Sequence, residues 1–363
     1  MAEVTTAMVK QLRDMTGAGV LACKNALVEN NGDIDAAVEA LRKKGEATAV
    51  KKAGRIAAEG IVMLEVQDDK KAAIVEVNSE TDFVAKNEKF QTFVKDVLDQ
   101  VLSTEVINNE ELFADKWHVD ESKTVRDAVV SMVATIGENI NIRRFARIES
   151  DGVVVGYVHG GGRIGVLVEA AAENNDNVKE ALKNIAMQVA AMNPQYISDR
   201  EMSEEEVVKL REITVDSALN TPETLPKPIL TSLLETAVNE KLLSPEDIEI
   251  YGEQKNNLNY IFNFFSGEAK TIVGELAMRK KDEIVGNKIF NGLVDGRFNK
   301  QLKDICLLDQ VYVRAEDGKQ TVAKYLESVD KNLTVTRIVR FEVGEGIEKK
   351  KENFAEEVAK QMA

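Results

Sequence analysis

An internal repeat in the middle of the chain restricts the folds that the chain can adopt. The stretch 59–66 is echoed by 151–158, and a turn and a second β-rich run follow each copy, at 73–77 and 164–168. Each second run leads into a segment with apolar residues at helical spacing. The aligned apolar positions are Phe90, Phe93, Val94 and Val97 in one copy and Leu182, Ile185, Ala186 and Val189 in the other. Two related α+β subdomains with antiparallel sheets are therefore expected.

Residues 1–55 predict a separate three-helix bundle followed by a linker. Apolar residues recur at helical spacing in three short runs, which the breaks at 16–19 and 30–33 separate. Asp33 can cap the third helix. A bundle this small has little core and typically serves as a binding module.

The rest of the chain predicts a helical excursion and a return to the second sheet. All five prolines fall between 194 and 245, in a region that otherwise has helical apolar spacing. The chain is expected to return to β structure near 311–313 and to end with a strand at 336–343 and a helix. The expected boundaries are 56–145 for the first subdomain, 146–343 for the second, 200–305 for its helical excursion and 344–363 for a C-terminal module.

The charge of the chain bears on its partners. The net charge is -15, which argues against a nucleic acid backbone as a direct partner. Residues 1–55 nevertheless carry nine basic and seven acidic residues, so a mildly basic head precedes an acidic body. This asymmetry suits docking on a protein, although solubility alone explains an acidic body equally well.

The cysteines, the histidines and the hydropathy of the chain indicate its cellular compartment and whether it needs a cofactor. Cys23, Cys306, His118 and His159 show neither disulfide nor metal-ligand spacing, so we expect no bound metal or other cofactor and a reducing cytoplasm. No apolar run approaches the roughly 18 residues of a membrane span. The N-terminal residues lack the pattern of a signal peptide. A cytoplasmic protein without a membrane partner is expected.

No catalytic constellation stands out. The glycines at 160–162 lie between two β-rich runs, where a hairpin turn is a better interpretation than a phosphate-binding loop. His159 has no serine or cysteine nucleophile nearby in sequence, and the carboxylates have no special spacing. We therefore expect that the protein is not an enzyme.

The segment 81–87 lies where a strand gives way to a helix. Thr81 or Asp82 can be the N-cap of that helix. Phe83 and Val84 either pack the helix onto the sheet, which periodicity alone favours, or Asp82 and Phe83 project into a partner. The pattern leaves both interpretations open.

Five stretches in chain order resemble the signatures of the elongation factor Ts family. They are LR at 12–13 with TGAG at 16–19, CK at 23–24, AL at 26–27 and NGD at 31–33; TDFVAKN at 81–87; IGENINIRR at 136–144; HGGGRIGVL at 159–167; and RFEVGEGIE at 340–348. The resemblance implies an N-terminal bundle like a ubiquitin-associated domain, a core of two subdomains, a helical hairpin and a C-terminal module. It also implies a guanine nucleotide exchange factor that releases GDP from elongation factor Tu by disturbing the Mg²⁺ and phosphate sites of that GTPase.

The resemblance assigns roles to particular residues. It implies that Thr81, Asp82, Phe83 and Val84 dislodge the partner's Mg²⁺, with Phe83 as a wedge. The other implied partner contacts are Leu12, Val20 and Leu21 in the bundle, His159, Arg163 and Ile164 near the partner's phosphate loop, and Phe354 and Val358 in the last helix. Val20 and Leu21 stand where the family commonly has paired methionines, so a contact of altered strength is expected.

Two alternatives accompany this interpretation. The segment from about 222 to 281 looks like an extra helical insertion, and its aromatic stretch at 260–265 forms either a local core or a self-association surface for a homodimer. The competing function is a binding scaffold that docks on a partner without exchanging its nucleotide.

Overall fold

The computed structural model describes residues 4–348, which divide into two compact units. Residues 4–193 and 324–348 belong to the first unit, and residues 194–323 form the second. The described residues contain two three-stranded antiparallel sheets together with many helices, so the predicted α+β class is confirmed. No helix in this part of the chain is both long enough and apolar enough to cross a membrane.

The first unit begins with the predicted three-helix bundle. Its helices are α1 (Thr6–Thr16), α2 (Val20–Glu29) and α3 (Ile34–Lys52). Asp33 caps α3 as expected, because its side chain accepts a hydrogen bond from the backbone N–H of Ala36 at 2.9 Å. Leu12, Cys23 and Leu27 are fully buried and form the small core of the bundle.

The first sheet consists of β1 (Glu59–Gln67), β2 (Lys71–Ser79) and β3 (Asn141–Glu149), with β2 in the centre. The helices α4 (Asp82–Ala85), α5 (Glu88–Ser103), α6 (Asn109–Ala114) and α7 (Val125–Ile136) connect β2 to β3. One face of the sheet packs against α5, whose four predicted apolar residues are buried.

The second sheet repeats this plan. It consists of β4 (Val153–His159), β5 (Ile164–Ala171) and β6 (Thr334–Glu342), with β5 in the centre and α8 (Asp176–Met192) packed against it. The aligned apolar residues of α8 are buried like those of α5.

The two sheets face each other across an apolar layer. Val62, Ile74, Val154 and Leu167 are among its buried residues. Gly165 permits the close approach, since a Cβ there would lie 2.5 Å from Cγ1 of Val62. The strands of both copies therefore share one core, and the helices cover it from outside.

The second unit is helical and has its own core. Its helices are α9 (Glu204–Leu219), α10 (Lys227–Asn239), α11 (Pro245–Gln254), α12 (Gly267–Arg279), α13 (Lys281–Val285) and α14 (Lys288–Ile305), and α15 (Val322–Val329) runs from it into the first unit. Backbone bonds extend this unit beyond the predicted excursion: the N–H groups of Gln195 and Tyr196 donate to the carbonyl of Ile305.

Two expectations for this region change. The predicted β structure at 311–313 is wrong, because Val311 forms only a single bridge with Thr321 and the chain then turns at Tyr312. The aromatic stretch at 260–265 was expected to form either a local core or a self-association surface. Ile261 and Phe265 are buried in the core, whereas Tyr260 and Phe264 are exposed. The expected C-terminal helix with Phe354 and Val358 lies outside the described residues.

Candidate functional site

The segment after β2 forms a separate helical turn. Thr81 is the N-cap of α4, and its hydroxyl oxygen accepts a hydrogen bond from the backbone N–H of Val84 at 3.4 Å. The turn ends at once, because Asn87 caps α5 by accepting from the N–H of Lys89 at 2.9 Å. We call residues 81–84 the tip.

Phe83 and Val84 differ in their exposure to solvent. Phe83 is 81% exposed, whereas Val84 is 9% exposed and belongs to the core beneath α5. The packing interpretation therefore holds for Val84 and the projecting interpretation for Phe83. Val84, which the resemblance includes in the Mg²⁺-displacing stretch, is therefore buried in the core, because successive side chains of a helix lie on different sides of it.

Asp82 stays ionised at neutral pH. A hydrogen bond from the Lys86 ammonium, whose Nζ lies 2.7 Å from Oδ2, lowers the pKa of Asp82 below its ordinary 3.8. Bonds from the first backbone N–H groups of α4 act in the same direction. The tip therefore presents an exposed aromatic ring beside an exposed carboxylate.

The glycine-rich segment is a hairpin turn, as predicted. His159 pairs with Ile164 across the β4–β5 connection, and Gly160, Gly161 and Gly162 all have positive φ. The hairpin is tied to the first sheet by the backbone N–H of Val62, which donates to the carbonyl of Gly162 at 2.7 Å.

The three side chains predicted at this hairpin are at or near the surface. His159 is exposed, and its Nδ1 lies 3.0 Å from the hydroxyl of Tyr157. Arg163 is exposed and pairs with Glu59 at 3.0 Å. Ile164 is half-buried. The hairpin therefore offers an imidazole and a guanidinium to a partner.

A pair of glycine substitutions tests how tightly this hairpin is seated. At Gly162 (φ +94°) an added Cβ would lie 2.3 Å from Cγ1 of Ile61, whereas at Gly161 (φ +65°) it would meet nothing within 4 Å. We expect Gly162→Ala to cost about 3 kcal/mol of unfolding free energy, from strain and overpacking. Gly161→Ala should cost about 1 kcal/mol, from its left-handed backbone alone. Urea unfolding followed by the fluorescence of Trp117 measures both, and equal costs would contradict this seating.

The predicted contact residues of the bundle differ from one another in exposure. Val20 and Leu21 open α2 and are exposed, Leu21 by 71%. Leu12 is fully buried between the helices, so its side chain stabilises the bundle and is not presented at the surface. Val9 and Leu12 have the spacing of one apolar helix face, and α1 buries that face in the bundle.

The groups that hold the tip in place could not be predicted from the sequence. The loop 137–139 after α7 contacts residues 80 and 81, and Glu138 accepts two hydrogen bonds from Thr81. The signature stretch at 136–144 contained these residues, but only the fold brings them to the tip.

Two observations bear on metal and thiol chemistry in the described part of the chain. Across residues 4–348, no group of three or more His, Cys, Asp and Glu side chains is placed to hold a metal ion. Burial raises the pKa of Cys306 to about 11, so its thiol stays protonated and unreactive.

Known proteins resemble this chain over almost its whole length. The family model described as Elongation factor TS matches residues 80–345. The Elongation factor Ts of Clostridium novyi is 42% identical over 366 residues, which cover 99% of each chain. That of Clostridioides difficile is 41% identical over 366 residues and 100% of each chain, and that of Halothermothrix orenii is 41% identical over 355 residues, with 98% of this chain and 97% of the relative covered.

A family match over most of the chain, together with relatives of about 41% identity over their full length, shows that this chain belongs to the elongation factor Ts family of translation elongation factors.

Proposed function

We propose that this protein is a guanine nucleotide exchange factor that promotes the release of GDP from elongation factor Tu. The observation that carries the proposal is the tip, where the exposed ring of Phe83 stands beside the ionised carboxylate of Asp82. Membership of the elongation factor Ts family supports the partner.

The two exposed tip residues have different roles in this proposal. A phenylalanine side chain has only two χ angles, so it loses little conformational entropy when it wedges between elements of a partner. Asp82 brings a negative charge to the surroundings of the partner's Mg²⁺, where it competes for the groups that hold the ion. Weaker Mg²⁺ binding lowers the affinity for GDP.

Two further surfaces complete the proposed interface. His159 and Arg163 on the β4–β5 hairpin approach the partner's phosphate loop, and Val20 and Leu21 on α2 dock on the GTPase domain. The exchange factor binds the emptied GTPase better than the GDP-bound form, and linkage then requires that it weakens nucleotide binding by the same factor.

The energy required is modest. Accelerating GDP release a thousandfold takes about 4 kcal/mol of barrier lowering. No covalent bond is made or broken, so we propose that the protein acts by binding alone and not as an enzyme. We also propose that it works in the cytoplasm without a direct nucleic acid partner, in keeping with its net charge of -15.

A stopped-flow assay tests the proposal. Elongation factor Tu loaded with fluorescent GDP is mixed with excess unlabelled GDP and increasing amounts of this protein, and the release rate should rise to a plateau. Binding without any acceleration would instead indicate the scaffold. A light-scattering mass on the same sample tests whether the exposed Tyr260 and Phe264 join two copies of the chain.

A charge placed on α2 tests the docking role of the bundle. Leu21→Asp should raise the half-saturating concentration about tenfold, which corresponds to about 1.4 kcal/mol, because it places a charge in an apolar contact. The plateau rate should stay unchanged. Leu21 is the second residue of its helix, where an aspartate favours the helix, so the bundle itself should remain folded.

Ile289→Asp is the matched control for this substitution. Ile289 is also an exposed second helical residue, but it lies on α14 in the other unit. The two variants should differ clearly in the titration. Equal half-saturating concentrations would remove the bundle from the interface.

A further inference from the structure

We propose that Glu138 is a positioning residue for nucleotide exchange, because its carboxylate sets the direction in which the tip presents Asp82 and Phe83. The inference rests on the proposed exchange function. Glu138 itself does not contact the partner; it acts through Thr81.

Glu138 holds Thr81 at two points. The backbone N–H of Thr81 donates to Oε2 at 3.0 Å, and the hydroxyl of Thr81 donates to Oε1 at 2.8 Å. The same hydroxyl oxygen accepts from the backbone N–H of Val84. The side chain of Thr81 therefore joins Glu138 to α4, and the two bonds together fix both the position and the rotation of the turn.

The loop that carries Glu138 is itself held from two sides. Glu80 accepts from the backbone N–H of Asn139 at 2.6 Å and pairs with Arg55 at 3.3 Å. The Lys52 ammonium at the end of α3 donates to the carbonyl of Gly137 at 2.6 Å. The side chain of Asn139 donates to the carbonyl of Arg55 at 2.8 Å. The carboxylate of Glu138 is thus presented from a fixed support that reaches back to the bundle.

The tip depends on this support because α4 is so short. Four residues make too little helix to be stable without outside contacts. Val84 anchors the turn to the core, the Ser79 hydroxyl donates to the carbonyl of Thr81 at 3.0 Å, and the Gln91 side chain donates to the carbonyl of Ala85 at 3.2 Å. These contacts engage neither the backbone N–H nor the hydroxyl proton of Thr81. The Glu138 carboxylate accepts from both donors and so adds a further hold at the start of the turn. Without it, the donors of Thr81 turn to water, and Phe83 is presented over a wider range of directions.

Removal of the Glu138 carboxylate should slow the exchange step and leave docking on the partner unchanged. A wedge that must enter a partner in one orientation loses rate steeply when its direction is spread. Docking by α2 and by the hairpin involves neither Glu138 nor Thr81. We therefore expect Glu138→Ala to lower the plateau rate of GDP release about tenfold. The half-saturating concentration should stay within about twofold of the parent protein.

Two variants make this a test of position and not of folding. Glu138→Gln keeps the shape but offers one acceptor oxygen where the carboxylate has two, so its plateau rate should lie between those of the parent and Glu138→Ala. Glu111→Ala is the matched control. Glu111 also accepts from a backbone N–H, that of Ile107, and from a neighbouring side chain, that of Asn108, but it lies away from the tip. Its removal should leave both parameters unchanged.

A double-mutant cycle completes the experiment. Thr81→Val removes the hydroxyl that joins Glu138 to α4 and keeps the side-chain shape. If the two residues act through one contact, Thr81→Val together with Glu138→Ala should lower the plateau rate no further than the stronger single variant. If the two substitutions lower the plateau rate by the product of their separate factors, the proposal is overturned. A normal plateau rate for Glu138→Ala would also overturn it. If Glu138→Ala does not fold, a normal plateau rate for Glu138→Gln would do so instead. A parent protein that does not accelerate GDP release would refute the exchange function itself.

Discussion

Phe83→Ala is expected to lower the plateau rate of GDP release about a hundredfold, equivalent to about 2.7 kcal/mol of barrier, without unfolding the protein. The side chain is 81% exposed and contributes nothing to the core, so the unfolding free energy should change by less than about 0.5 kcal/mol. The large effect comes from the loss of the wedge, because an alanine cannot fill a pocket between partner elements.

The control and the combined variant sharpen this prediction. Phe264→Ala removes an aromatic ring that is 52% exposed in the helical unit, and it should leave exchange unchanged. Asp82→Ala together with Phe83→Ala should lose most of the activity and still compete with the parent protein for elongation factor Tu. Normal exchange by this double variant would show that the tip is not the working element.

Glu76→Gln is expected to produce the largest loss of stability, about 3–5 kcal/mol, because it breaks a buried ionic cluster. Glu76 on β2 is fully buried and accepts hydrogen bonds from Arg144 at 2.6 Å and from Arg143 at 3.0 Å. It also accepts from the backbone N–H of Gly344 at 2.9 Å, just beyond β6. One carboxylate therefore joins the two sheets.

Lowering the pH should remove the contribution of the Glu76 carboxylate to the free energy of unfolding. Burial alone raises the pKa of Glu76, but the hydrogen bonds from Gly344, Arg144, Asn78 and Arg143 outweigh it and hold the pKa below the ordinary 4.5. The unfolded chain thus takes up the proton at a higher pH than the folded one. The stabilisation is fully present above about pH 4.5 and is lost as the pH falls through the lower pKa of the folded state.

Urea unfolding at neutral and acidic pH measures both effects. Trp117 is the only tryptophan and is buried in the first unit, so its fluorescence follows the unit that contains Glu76. The difference between the parent and Glu76→Gln should shrink as the pH falls below 4.5. Glu65→Gln on β1, which removes a partly exposed pair with Lys95, should cost less than about 1 kcal/mol. A pH-independent difference would contradict the role of the Glu76 charge.

Local patterns predicted much of this fold. The repeated β-rich runs and the run at 336–343 predicted five of the six strands, and helical spacing predicted the helices that cover the sheets, since both patterns depend on neighbouring residues. The strand β3 was not predicted. Asp33 predicted its helix start and the glycines at 160–162 predicted the hairpin for the same reason. The single bridge at Val311 shows where this failed, because pairing there needed a second strand that local sequence does not reveal.

The tip shows which features the local sequence determines and which ones depend on the tertiary structure. The sequence by itself determined that residues 81–87 join a strand to a helix and that Thr81 or Asp82 begins that helix. Only the tertiary structure decided that Phe83 points outward while Val84 is buried. The rotation of a four-residue turn is not a property of its own residues. It depends on the core beneath Val84 and on Glu138, which lies 57 residues further along the chain.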